Sequence, residues 1–337
     1  MSISLLERMK STSKIKLAAV MNESKVLNQS APVSTSVPMI NVALSGKLDG
    51  GITSGLTVLA GPSKHYKTSF GLLMLKAYQD KYPDSVTLFY DSEFGSPQRY
   101  WESFGIDMSR VLHIPIKNIE ELKFDLITQL EEISPKDKVF VMIDSVGNLA
   151  SKKEVDDAKD SKSVSDMTRA KQMKSLFRMA TPYLTLNDIP LVAVNHTYET
   201  QEMFSKQVVS GGTGIVYSAN TIWIIGRRQD KVGTEIKGYD FIINVEKSRF
   251  VREKSKIPIS VSWEGGIEKY SGLLEVALES GFVTKPKVGW YTRPTVPDDK
   301  NYREKDTMNE AFWDPIFEST NFSEYIEEKF SAGYTSE

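Results

Sequence analysis

The sharpest chemical signal in the sequence is the run Gly61, Pro62, Ser63, Lys64, His65, Tyr66, Lys67 and Thr68. It follows the apolar stretch Leu56–Ala60 and opens an apolar helical pattern running from Thr68 to about Asp80. A glycine-led loop between strand and helix, closed by Lys and a hydroxyl residue, suits a polyphosphate. Backbone N–H groups of the loop, Ser69 included, would face the phosphates at the helix N-terminus. Lys67 would reach the β- and γ-phosphates of ATP, and the Thr68 hydroxyl would hold Mg²⁺. One position departs, because Tyr66 stands where the usual pattern has Gly. If the loop needs positive φ there, a side chain costs roughly 1 kcal/mol. The competing reading is an ordinary Gly-Pro turn before a helix.

Three acidic groups close apolar runs nearby in the pattern. Asp144 ends VFVMID, as a second Mg²⁺-organising carboxylate would. Asp91 and Glu93 close TLFYD-S-E, where a carboxylate could reach a water attacking the γ-phosphate. Each has a plainer reading as a helix cap or a solvated strand end. Their joint placement suits ligand binding at the carboxyl ends of parallel strands.

The elements that must hold these groups follow from periodicity. Strands are predicted at Leu56–Ala60, Thr87–Asp91, Val139–Asp144 and Leu191–His196, with helices at Thr68–Asp80, Ile119–Ile133 and Met167–Leu186 between them. Such alternation predicts an α/β fold with a mostly parallel central sheet covered on both faces. After Tyr217 the runs Thr221–Gly226, Tyr239–Glu246 and Ile257–Trp263 are separated by turn-like breaks, which predicts an antiparallel extension. Residues 1–29 read as one amphipathic helix with a polar tail, using Ile3, Leu5, Leu6, Met9, Ile15, Leu17 and Val20. Ser30–Pro38 reads as extended linker or edge strand. A core over 30–285 and a small C-terminal segment over 286–337, with a short helix near Phe322–Phe330, complete the outline.

Composition removes other classes. The 337 residues carry a net charge of −2, no cysteine and three widely spaced histidines. Disulfides, cysteine-ligated metals and a thiol nucleophile are excluded. The longest obvious apolar runs are too short to span a bilayer, and the first residues lack the apolar stretch of a signal peptide. These features point to a soluble cytoplasmic protein without a membrane partner. A local basic track for nucleic acid stays open, since charge distribution matters more than the total.

The stretches GPSKHYKTSFGL, LFYDSEFG, FVMIDSVGNLASKKE, SDMTRAKQMKSLFR, NHTYETQEMF, SGGTG, NVEKSR, EKSK and YSGLL occur in that order over about residues 38–290. In this they resemble the RecA family of DNA recombinases, and within it the recombinases of T-even phages. A bulky aromatic before the loop Lys is what that subgroup implies. The resemblance implies Glu93 as general base, Tyr100 as the aromatic on adenine, Asp144 in the Mg²⁺ shell and His196 as the γ-phosphate sensor. Without the family, His196 would read as a strand-end histidine with a satisfied hydrogen bond.

The resemblance further implies two loops facing DNA. One is Asn148–Ser165, leading into a helix with Arg169, Lys171, Lys174 and Arg178. The other is Tyr198–Thr213, with Phe204, Lys206, Gly211 and Gly212. Residues 151–178 hold eight Lys/Arg against five Asp/Glu, which alone reads more readily as a solvated face. Lys247 and Arg249 occupy the place of two basic residues that reach a neighbour's ATP; on their own they read as a solvated basic turn. Trp263 is a weaker candidate to cap the nucleotide across that interface.

The implied activity is that of a DNA-dependent ATPase. It would form helical filaments on single-stranded DNA, pair it with homologous duplex and exchange strands in recombination, repair and replication. Implied partners include further copies of the chain, a single-strand-binding protein and a mediator protein, in the host cytoplasm if the chain is phage-encoded. The alternatives are a hexameric helicase on the same fold and a non-catalytic recombinase paralogue.

Overall fold

The computed structural model describes residues 4–24, 26, 30–159, 168–200, 206–232, 235–297 and 299–333. The chain divides into two units, Met1–Ala31 and Pro32–Glu337. In the first, helix α1 covers only Leu5–Thr12, opened by a capping box between Ser4 and Glu7, and a 3₁₀ turn follows at Met21–Glu23. The single long helix expected over 1–29 is therefore corrected. Ser11 and Thr12 turn their hydroxyls back onto Arg8 O, and such side chains compete with continued helix. Ile15, Leu17 and Val20 lie beyond the helix.

The second unit is built on one nine-stranded sheet. Its first five strands are β1 (Gly55–Ala60), β2 (Val86–Asp91), β3 (Val111–Pro115), β4 (Val139–Asp144) and β5 (Pro190–Asn195). A small separate hairpin, β6 (Thr197–Glu199) with β7 (Gln207–Val209), follows. The sheet then resumes with β8 (Thr221–Val232), β9 (Glu235–Ser248), β10 (Lys256–Ser262) and β11 (Gly266–Ile267). The spatial order is β11-β10-β9-β8-β1-β5-β4-β2-β3. β8, β1, β5, β4, β2 and β3 run parallel, and the pairs from β8 to β11 are antiparallel. The mostly parallel sheet with an antiparallel extension is thus as expected.

The helices after α1 are α2 (Pro38–Ser45), α3 (Lys67–Lys81), α4 (Gln98–Ser103), α5 (Ile119–Glu132), α6 (Lys152–Lys159), α7 (Thr168–Leu186), α8 (Thr213–Ser218), α9 (Leu273–Ser280), α10 (Glu310–Ser319) and α11 (Phe322–Phe330). Period-2 alternation sorts the strand side chains between two cores. Leu59, Phe140, Met142, Val192 and Val194 face α2, α3, α9, α10 and α11. Val58, Val141, Ile143, Leu191 and Ala193 face α5, α7 and α8. The first core is rich in aromatics, including Phe70, Trp101, Trp223, Phe241 and Trp313; among the described residues the second holds only Tyr90 and Phe177 as buried aromatics.

A three-stranded sheet, β12 (Thr284–Lys287), β13 (Trp290–Thr292) and β14 (Tyr302–Arg303), precedes α10. Phe312, Trp313, Phe322 and Phe330 then join the same core as α2 and α3. Ser30–Pro38 makes an antiparallel bridge between Val33 and Ile52, after which Pro38 starts α2.

Candidate active site

The loop 61–67 leaves β1 and enters α3, so its amides converge on the N-terminus of that helix. Lys64 and Tyr66 both hold positive φ, 60° and 61°. The Tyr66 ring stacks on Phe241 at 5.0 Å and meets Phe70 edge-on at 5.8 Å. That packing offsets the cost of a side chain where Gly would be unstrained. His65 Nδ1 donates to Ser63 O at 2.8 Å, and burial lowers its pKa.

The loop borders a cleft of about 430 Å³ lined from Ser63 to Ser69 and by Glu93, Gly95–Pro97, Tyr100, Val194 and His196. Lys67 is buried, and its Nζ donates to Pro62 O at 2.7 Å. Burial lowers its pKa, and Glu93 and Asp144 oppose that shift. Thr68 Oγ1 donates to Asp144 Oδ2 at 2.7 Å, while Asp144 Oδ1 is buried with no hydrogen-bond partner. Burial, with Glu93 and Asp91 nearby, lifts the Asp144 carboxyl to about 6. An orphaned carboxylate oxygen beside a hydroxyl and a phosphate loop fits Mg²⁺, which keeps waters and phosphate oxygens as ligands. No cluster of three acidic, His or Cys side chains able to hold a metal occurs among the described residues.

The two acids after β2 separate. Asp91 Oδ1 accepts from the backbone N–H groups of Glu93 and Phe94, and Oδ2 lies 3.1 Å from His113 Nε2. It shapes the turn and does not line the cleft. Glu93 does line it. The His196 ring, with help from Ser145 and Lys67, holds the Glu93 carboxylate below its usual range despite burial. His196 Nε2 is 3.2 Å from Glu93 Oε1, an ion-pair distance that lacks the alignment of a hydrogen bond. Asn148 Nδ2, which the sequence reading placed only at the start of a loop, donates to the same oxygen at 3.1 Å. Tyr100 reaches the cleft from α4 and shares a hydrogen bond with the Ser69 hydroxyl.

The other expected residues lie elsewhere. Arg169 was expected among DNA contacts, yet its guanidinium donates to Leu149 O at 2.7 Å, Gly147 O at 2.8 Å and Val146 O at 3.2 Å. Those carbonyls follow the end of β4 and require donors. Lys171, Lys174 and Arg178 are exposed on α7, and Lys206 is exposed before β7. Gly211 and Gly212 take φ of +97° and +77°, conformations suited to Gly, at the entry to α8. Phe204 lies outside the described residues. Within the first expected loop, 152–159 form α6. Lys247 Nζ donates to Val216 O at 2.7 Å, near the end of α8, and Arg249 borders a second cavity with Lys47, Arg252 and Glu327. Neither lines the nucleotide-sized cleft, and Trp263 is exposed.

Residues 270–326 match the family model described as the C-terminal domain of the bacteriophage T4 recombination and repair protein. Over 337 aligned residues the chain is 52% identical to the recombination and repair protein of Enterobacteria phage T4, covering 98% of this chain and 86% of that one. It is 25% identical over 264 residues to RecA of Streptomyces venezuelae, covering 77% and 67% of the two chains. To RecA of Aquifex aeolicus it is 25% identical over 247 residues, covering 72% and 69%. No helix among the described residues is long and apolar enough to cross a membrane.

Proposed function

Since the chain belongs to the RecA family of DNA recombinases, in the branch of the phage T4 recombination and repair protein (UvsX), we propose that it forms helical filaments on single-stranded DNA and exchanges strands with homologous duplex. It is an ATP-dependent recombinase, a DNA-dependent ATPase. The observation that carries the mechanism is the convergence of Lys67, Thr68 and Glu93 on one cleft, with Asp144, at the carboxyl end of β4, hydrogen-bonded to Thr68 behind it.

In this reading the loop from Gly61 to Ser69 binds the phosphates of ATP, and Tyr100 faces the base. Lys67 stabilises charge on the γ-phosphate. Thr68 and Asp144 hold Mg²⁺, which when bound neutralises the phosphate oxygens. Glu93, kept ionised by its neighbours, takes the proton of the attacking water. His196 touches Glu93 and continues directly into β6, so it can pass the state of the cleft to the second loop. Lys247 and Arg249 act on the nucleotide of the adjacent subunit. Lys174, Arg178, Lys206, Gly211 and Gly212 meet DNA phosphates, so binding is salt-sensitive. A single-strand-binding protein and a mediator are the expected protein partners.

The test is ATP hydrolysis with and without single-stranded DNA, beside electron micrographs with a slowly hydrolysed analogue. Stimulated turnover and extended filaments are expected. Closed rings would favour the helicase alternative, and DNA binding without turnover the non-catalytic paralogue.

A further inference from the structure

We propose that Asn148 is a positioning residue for the Glu93 carboxylate, held in place by Arg169. The inference rests on the reading of Glu93 as the group that receives the water's proton. Asn148 Nδ2 lies 3.1 Å from Glu93 Oε1, the same oxygen that sits 3.2 Å from His196 Nε2. A carboxylate only accepts, so the amide nitrogen of Asn148 must be the atom that faces it. The terminal torsion of Glu is broad, and an unpinned carboxylate samples orientations that do not aim at one water. Two side chains on one oxygen narrow that range.

The stretch bearing Asn148 is itself fixed. Val146 N donates to Val194 O at 3.0 Å, tying it to β5. A Cβ on Gly147 would lie 2.4 Å from His196 Cδ2 and 3.0 Å from His196 N. Only hydrogen fits there, so the two neighbours of Glu93 Oε1 are packed through this glycine. Arg169, from the first turn of α7, binds the carbonyls of Val146, Gly147 and Leu149, on both sides of Asn148. Arg169 thus sets where the amide of Asn148 is presented, and acts on hydrolysis through it.

The experiment is steady-state ATP hydrolysis by the full chain at saturating single-stranded DNA. Asn148→Ala is expected to lower kcat on the order of tenfold, with KM for ATP within about twofold, as misplacement of a reacting group does. Asn148→Gln keeps the amide donor and should recover part of the loss. Arg169→Ala should lower kcat similarly, and the double variant should be little worse than either single one, because the two act in one chain. Filaments on single-stranded DNA with a slowly hydrolysed analogue should be unchanged in Asn148→Ala, and so should its melting temperature, since Asn148 is exposed. The proposal is overturned if Asn148→Ala keeps its kcat, if Gln is no better than Ala, or if raising the DNA concentration restores turnover. The last result would make Asn148 a DNA contact. If Glu93→Gln also hydrolyses normally, the reading of Glu93 fails and this inference with it. If Glu93→Gln is inactive while Asn148→Ala is normal, only the inference fails.

Discussion

Tyr66 holds a left-handed backbone at the entry to α3 while its ring stacks on Phe241. These two facts pull in opposite directions, so substitutions can separate them. Tyr66→Ala keeps the strain and loses the ring contacts; a loss of about 2–3 kcal/mol in urea unfolding is expected. Tyr66→Gly loses the same contacts but relieves the strain, and should be more stable than Ala by about 1 kcal/mol. Equal stability would mean the φ is not costly. In the cleft, Lys67→Ala should abolish nucleotide binding, measured by calorimetry, because it removes the loop's buried cation. Glu93→Gln should bind ATP normally and hydrolyse it far more slowly, since an amide cannot take the proton. Loss of binding as well would make Glu93 structural. Lys67, Thr68 and Asp144 were readable from spacing because each ends or begins a strongly periodic element. Asp91 and Glu93 were indistinguishable in sequence; which of them caps the turn depends on His113 and two backbone amides. Asn148 gave no signal, because its meaning lies in a partner 55 positions away.

The segment that follows β13 carries a buried ion pair between Arg293 and Asp299, and Arg293 also ties it to α10. Arg293 Nη2 lies 2.6 Å from Asp299 Oδ1 and its Nη1 donates to Phe312 O at 2.7 Å, with both charged side chains only 6% exposed. Burial pushes the Asp299 carboxyl up, but the bonds and charge of Arg293 outweigh it and hold the pKa below its usual value. A depressed folded pKa gives stability that is present above the unfolded value of about 3.9 and fades as pH falls through the folded one. Asp299→Asn, which leaves a buried guanidinium unpaired, should cost about 3–5 kcal/mol at pH 7. The gap from wild type should narrow toward pH 3; a gap independent of pH would show that the charge of Asp299 is not the cause. No such pair could be read from the Pro- and Asp-rich sequence around it. β3 was missed for a related reason, since an edge strand with half-exposed residues carries no clean alternation. α2 left a readable sign, Pro38 at its first turn and Gly46 at its end with φ 79°, that the Ser/Pro-rich approach obscured. β8 and β9 run past their apolar cores into the charged stretch around Arg228, where hairpin pairing, the Arg228–Asp240 ion pair and Arg227 over the Tyr239 ring extend them.

For the assembled filament, the basic pair Lys247 and Arg249 gives the most direct test. Replacing both with Ala should leave ATP binding nearly intact, because neither lines the cleft of its own subunit, and reduce DNA-stimulated turnover by about 10³-fold or more. Mixing this variant with Glu93→Gln subunits should restore some activity, since at some junctions an intact cleft meets an intact pair. Co-assembly without recovery would rule out action across the interface. Deleting residues 1–29 should leave ATP binding in place and weaken polymerisation, seen as reduced light scattering with single-stranded DNA. The uneven division of aromatics between the two sides of the sheet has an optical consequence. Of the five tryptophans, Trp101, Trp223 and Trp313 sit in the core shared by α2, α3, α10 and α11, Trp263 is exposed, and Trp290 lies in the small C-terminal sheet. Emission from the buried tryptophans therefore monitors one side of the sheet, and the core where α5, α7 and α8 pack and Arg169 begins its helix holds none of them. A tryptophan at the buried position of Phe177 would illuminate that side, and any loosening there on DNA binding would register as a colour change that the native chain cannot emit.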